Sequence, residues 1–204
     1  MKNRWLIALS AIAIHLSIGG AYAYSVYKLP IVEEMGWTGT QVTIAFTIMM
    51  GLAGSSAALF GSFVEKSGPR KSATIAAILF GLGQAGSGVA ILLDSVVLYW
   101  LTYGLLSGVG MGIGYISPVS TLVKWFPDRR GLATGMAVLG FGAGALITAP
   151  VAASLMTSVG ISNTYFILGA GYFIFMMLGA SYIAPPSENW LPKGMEKAVK
   201  SGGK

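Results

Sequence analysis

The sequence predicts an all-helical, polytopic membrane protein with six transmembrane helices, and three observations carry that prediction. The hydrophobic fraction is 54% and charged residues are only 10%, with a mean hydropathy of +0.72, whereas a soluble domain carries about a quarter charged residues. Six apolar runs, at about 5–27, 39–62, 72–93, 97–122, 131–156 and 164–184, are each long enough to cross roughly 30 Å of hydrocarbon at about 1.5 Å per residue. The acids Glu33, Glu34, Glu65, Asp94, Asp128, Glu188 and Glu196 all fall at span ends, in loops or in the tail. No segment alternates with the period of two of a membrane barrel strand, and the polar faces that soluble helices turn to water are missing.

The first run follows Lys2 and Arg4. Together with Ala21-Tyr22-Ala23 it imitates a signal peptide, but it continues past a normal apolar core and reads as a retained helix. It holds the lone His15, expected to be a neutral packing residue, with proton handling as the alternative. At 100° per residue Tyr24 and Tyr27 lie about 60° apart and Tyr22 about 160° from Tyr24, so the three cannot share one cavity. Tyr27 is expected to anchor at the membrane interface. The second run leads into the charged hairpin "FVEKSGPRKSA", where Gly68 and Pro69 are suited to a turn with proline at the start of the third helix. In the third run Gly81, Gly83 and Gly86 match a dinucleotide fingerprint formally, yet no strand precedes them.

The fourth and fifth runs are rich in glycine: Gly104, Gly108 and Gly112 recur every four residues, and Gly135, Gly140 and Gly144 follow. Small residues at this spacing form strips that let backbones approach in lipid, for static packing, for sliding during a conformational change, or for both. Pro118 and Pro150 are expected to bend these two helices. From Pro185 the composition turns polar, and residues 185–204 read as a cytoplasmic linker or tail.

All but one of the 13 basic residues, Lys28 being the exception, fall on one side when the segments are assigned alternately. The positive-inside rule then places both termini in the cytoplasm, and the net charge of +6 implies no nucleic-acid partner. The chain has no cysteine, no Gly-x-Ser-x-Gly, no His-Glu-x-x-His and no paired carboxylates within a span, so no enzyme chemistry, cofactor or metal is expected.

Topology would be met by any few lysines, so it does not account for the order of residues Gly61 to Lys71. The stretch resembles the signature loop of the major facilitator superfamily, Gly-x-Leu-Ala-Asp-Arg-x-Gly-Arg-Arg-Lys, between helices 2 and 3. With "KWFPDRRGLATG", "SVYKLPI", "GMGIGYISP" and "PPSENWLPKGM", the chain resembles the oxalate/formate antiporter family and its monocarboxylate-transporting relatives. The resemblance covers essentially the whole chain but only the N-terminal half of the twelve-helix fold. A truncated chain, a split gene and a half-sized transporter are all compatible with it.

The resemblance implies a secondary transporter of small carboxylates working by alternating access in a prokaryotic plasma (inner) membrane. It implies cytoplasmic gate residues at Gly61, Glu65, Gly68, Arg70 and Lys71, and a substrate cavity lined by Tyr22, Tyr115 and Phe141. Glutamines of the oxalate carriers are replaced by residues such as Ala21, Met50 and Ala53, which puts oxalate itself in question, and Gly104 stands about where proton-coupled antiporters carry an arginine. The six spans hold no Lys or Arg to pair with an anion, so the implied partners are the lipid bilayer, a small organic anion, and a complementary C-terminal six-helix half or a second copy of this chain. The rival readings are a self-sufficient dimeric carrier or pore, and a non-transporting membrane partner module.

Overall fold

The protein is described from a computed structural model, which covers residues 2–187, 190 and 192. The greater part of the polar tail, with Glu188 and all four of its lysines, lies outside the described residues. Six helices are long and apolar enough to cross a membrane: Arg4–Met35, Gly39–Ser67, Pro69–Leu92, Val96–Trp125, Pro127–Val159 and Ile161–Tyr182, the first to sixth spans. No strand occurs among the described residues.

These helices outrun the apolar runs because hydropathy marks the hydrocarbon, whereas capping marks the helix. The first span stays helical through Lys28, Pro30 and Glu34 and stops at Gly36, whose φ of 67° closes it in the left-handed region. The second begins on a capping box in which the Thr38 hydroxyl accepts from the Gln41 amide at 3.2 Å while Gln41 accepts from the Thr38 amide at 2.8 Å. It carries Glu65 and Lys66 within its last turns and ends at Gly68. Gly68 and Gly160 have φ of 79° and 82°, values that admit glycine at little cost, and each turns one long helix directly into the next. Pro69 takes the first turn of the third span, as expected.

Two spans are irregular within the membrane. The first passes through a tight 3-10 turn at Gly20–Ala23, and the fourth contains a π-helix, Trp100–Leu106, inside what the hydropathy reads as uninterrupted helices. Pro118 and Pro150 lie inside the fourth and fifth spans. No buried side-chain nitrogen or oxygen among the described residues lacks a hydrogen-bond partner. Ser and Thr hydroxyls donate to carbonyls one turn back, as at Ser17, Thr43, Ser87 and Thr121, the local solution open to polar groups away from water.

The second span packs on the fourth and the fifth on the first; the third packs on the fourth and the sixth on the first; the third and sixth pack on each other. Exchanging the first three spans for the last three leaves this pattern unchanged, which is the arrangement of a nested three-helix repeat. The first and fourth spans are thereby central, while only 22% and 28% of the apolar windows of the second and fifth are buried.

Glycines make the seams. A side chain at Gly104 would meet Ala45 and Ile48, at Gly108 Met49 and Leu52, and at Gly112 Ala53 and Ser56, so the fourth-span row faces the second span. Gly140 abuts Ile12 and His15, and Gly144 abuts Leu16 and Gly19, which seats the fifth span on the first. Gly135 departs from the expectation: nothing lies within 4 Å of its would-be side chain, because it lies off the Gly140–Gly144 row, on the face shared with Val138 and Gly142. Gly81, Gly83 and Gly86 face Phe173, Ser107 and Thr102 and serve helix packing.

Gly112→Val is expected to destabilise the bundle by about 1–3 kcal/mol or to prevent its folding, whereas Gly135→Ala should change stability by no more than about 0.5 kcal/mol. Thermal unfolding of the purified variants in detergent micelles would check both.

Candidate functional site

Tyr22 leaves the first span at its 3-10 turn, Tyr115 projects from the fourth, and Phe141 from the fifth. The structure brings the three together: the Phe141 ring is 5.2 Å from Tyr22 and 5.5 Å from Tyr115, edge-on to both. They border a cavity of about 630 Å³ completed by Met50, Ala53, Ala57, Met111, Val138 and neighbouring glycines. The first, second, fourth and fifth spans supply its walls; the third and sixth supply none.

Tyr22 and Tyr115 are 46% and 42% exposed, so their rings face open space rather than protein. The cavity is otherwise apolar, and no charged side chain lines it. It can therefore take a small planar molecule against ring faces, with phenol hydroxyls to donate to an oxygen. It has no nucleophile or acid–base pair for covalent chemistry. Beneath it, His15 is fully buried; its ring stacks on Tyr115 at 5.5 Å and meets Phe141 edge-on at 6.0 Å. Met111 and the position of His15 under the cavity were not singled out from sequence, where a lone methionine or histidine in an apolar run signals nothing about which way it faces.

The other first-span tyrosines point elsewhere, as the helical angles require. Tyr24 stacks on Phe46 at 4.4 Å. Tyr27 is not an interfacial anchor: it is 3% exposed and stacks on Tyr165 at 5.0 Å, within a buried cluster where the Tyr99 and Tyr165 hydroxyls share a 2.8 Å hydrogen bond. The sixth span covers it, and no property of Tyr27 alone reveals that cover.

At the charged end, Lys2, Gly68, Arg70, Lys71 and Thr74 border a separate cavity of about 520 Å³. Glu65 projects from the exposed face of the second span, and Gly61 has no neighbour within 4 Å of its would-be side chain. Gly61 thus admits no close helix within this chain, contrary to the use its size suggests, because the second span is an edge of the bundle here. The ion pairs among the described residues lie across the bundle: Asp128 binds Arg4 at 3.2 Å and Arg129 at 3.8 Å. Arg4 also lies 5.0 Å from the Phe126 ring. The Trp125 indole donates to the Ala184 carbonyl at 2.7 Å, tying the start of the tail to the fourth span.

Six helices apolar enough to cross a membrane, with an aromatic cavity bordered by four of them, make up this bundle. The chain belongs to the Major Facilitator Superfamily, whose profile matches residues 9–202. It is 30% identical to the MFS-type transporter YhjX of Escherichia coli K12 over 190 residues, 92% of this chain and 46% of that protein. It is also 30% identical to the oxalate:formate antiporter of Oxalobacter formigenes, over 95% of this chain and 46% of that one. Among solved structures, a peptide transporter, POT, in complex with alafosfalin superposes with a TM-score of 0.66 at 15% identity, over 97% of this chain and 43% of that one, which shows a shared fold. The chain spans about half the length of the curated relatives it matches.

Because the protein has no cysteine, single thiols can probe the cavity. A thiol introduced as Ala53→Cys should react with a water-soluble maleimide, whereas Ala76→Cys, at a fully buried helix contact, should not; labelling in liposomes checks that the cavity is open to water.

Proposed function

We propose that this chain forms the N-terminal half of an alternating-access carrier for small carboxylate anions. The observation that carries the reading is the convergence of Tyr22, Tyr115 and Phe141 on one cavity, at positions that resemble the substrate site of the oxalate/formate antiporter family. Support comes from relatives that include the oxalate:formate antiporter and the apicoplast pyruvate carrier 1 of Toxoplasma gondii, 31% identical over 50% of this chain. A carboxylate in the cavity accepts from the phenol hydroxyls. With no Lys or Arg in the cavity wall, the anion takes further positive charge from a complementary six-helix half, because an uncompensated anion is too costly within a membrane.

In this reading Gly61, Glu65, Gly68, Arg70 and Lys71 form the cytoplasmic gate, with Glu65 exposed on an edge where the second half would meet it. Both termini face the cytoplasm of a prokaryotic cell, consistent with the one-sided distribution of basic residues.

Counterflow of labelled oxalate, formate and lactate into liposomes tests the proposal, using this chain alone and with a complementary half. Saturable exchange is expected only with both halves; saturable exchange by this chain alone would instead identify a dimeric half-sized carrier. Tyr115→Phe should raise the carboxylate KM about 10- to 100-fold, the range expected for losing one hydrogen bond to a charged group, with the protein still folded.

A further inference from the structure

We infer that His15 is the positive charge this chain itself contributes to the site: an imidazolium beneath the Tyr22, Tyr115 and Phe141 cavity that favours its occupation by a carboxylate. The inference rests on the proposed carboxylate function and adds a specific group to it.

Both ring nitrogens of His15 face backbone carbonyls. Nδ1 lies 3.0 Å from the Ala137 oxygen on the fifth span, and Nε2 lies 3.2 Å from the Tyr115 oxygen on the fourth. Neutral imidazole has one N–H and one lone pair, so whichever tautomer forms, one nitrogen turns a lone pair toward a carbonyl oxygen. The imidazolium donates to both. Its ring is stacked on Tyr115 with an interplanar angle of 15° and lies edge-on to Phe141 at 79°, and an aromatic face favours an adjacent cation. Those two rings also border the cavity, so a bound anion and the imidazolium would lie on opposite sides of the same aromatic layer.

No acid neutralises this charge from the surrounding helices. Along the first span the other ionisable groups are the tyrosines from Tyr22 onward, Arg4, Lys28, Glu33 and Glu34; Arg4, eleven residues back, is about 16 Å away along the axis. The fourth span offers Tyr115 in contact, with Tyr99, Tyr103 and Lys124 further along it. The fifth span has only Asp128, Arg129 and Arg130 at its start, and the sixth has only tyrosines. A carboxylate in the cavity is therefore the counter-charge that the two carbonyl dipoles leave wanting.

An anion in the cavity and the imidazolium attract one another, so by reciprocity protonation of His15 strengthens anion binding. His15 is the single histidine of the chain, so ¹⁵N-histidine labelling of untagged protein, assembled with a complementary half in lipid, reads this one ring. The expected result is that both nitrogens are protonated in a larger share of molecules at low pH in saturating formate or lactate than in chloride at equal ionic strength. His15→Gln and His15→Asn should raise the carboxylate KM about tenfold at low pH and flatten its pH dependence. A neutral ring at low pH with the carboxylate bound, or a protonated share that ignores the carboxylate, overturns the role of His15. So does an unchanged KM and pH profile in a folded variant. If the unaltered protein binds and carries none of the carboxylates, the functional reading itself fails and this inference falls with it.

Discussion

Apolar side chains gain nothing by leaving lipid tails for one another, so this bundle depends on backbones coming close enough for dispersion and weak polar contacts to hold them. Gly108 and Gly112 bring the fourth span onto the backbone of the second, and Gly140 and Gly144 bring the fifth onto the first. The two seams are equivalent under exchange of the three-helix sets, and between them they define the face on which the aromatic cavity opens. A larger residue at Gly112 or Gly144 would push apart the walls that carry Tyr115 or Phe141. The cost of glycine to helix propensity, about 1 kcal/mol each in water, is offset here by close packing and by a solvent that strongly favours internal hydrogen bonding.

The same solvent governs the polar groups. Hydroxyls turn back to carbonyls on their own helices, and the longer polar side chains reach partners across seams, as Gln84 does to the Ser107 hydroxyl at 3.2 Å and the Trp37 indole to Asp94 at 2.7 Å. In the π-helical stretch of the fourth span the Thr102 carbonyl accepts from both the backbone amide and the hydroxyl of Ser107, the latter at 3.2 Å. The 3-10 turn of the first span similarly aims Tyr22 out of the bundle. Irregular backbone occurs in these two central spans, where other helices can satisfy it.

Charge is distributed by the same rule. It is dense at the cytoplasmic hairpins in the proposed orientation, ordered there by the Arg4–Asp128 pair, and absent from the cavity wall. His15 is the exception in kind: an imidazole held wholly inside the membrane domain, between two carbonyls and two rings.

The sequence by itself determined the six spans, the Gly68-Pro69 turn and the family, because these rest on local properties: apolar length, glycine and proline dihedrals, and an ordered motif. The helical angles also showed that Tyr22 must point away from Tyr24 and Tyr27. Only the tertiary structure decided which neighbour each face met. Tyr27 looks like an anchor until the sixth span covers it, Gly135 looks like a packing glycine until its face proves to meet no other helix of this chain, and Gly61 faces open space on an edge. His15 becomes a candidate charge only when two carbonyls from different spans are seen at its nitrogens. Such facts depend on which helix lies beside which, and in lipid, where hydrophobicity does not distinguish inside from outside, periodicity in one chain carries little of that information.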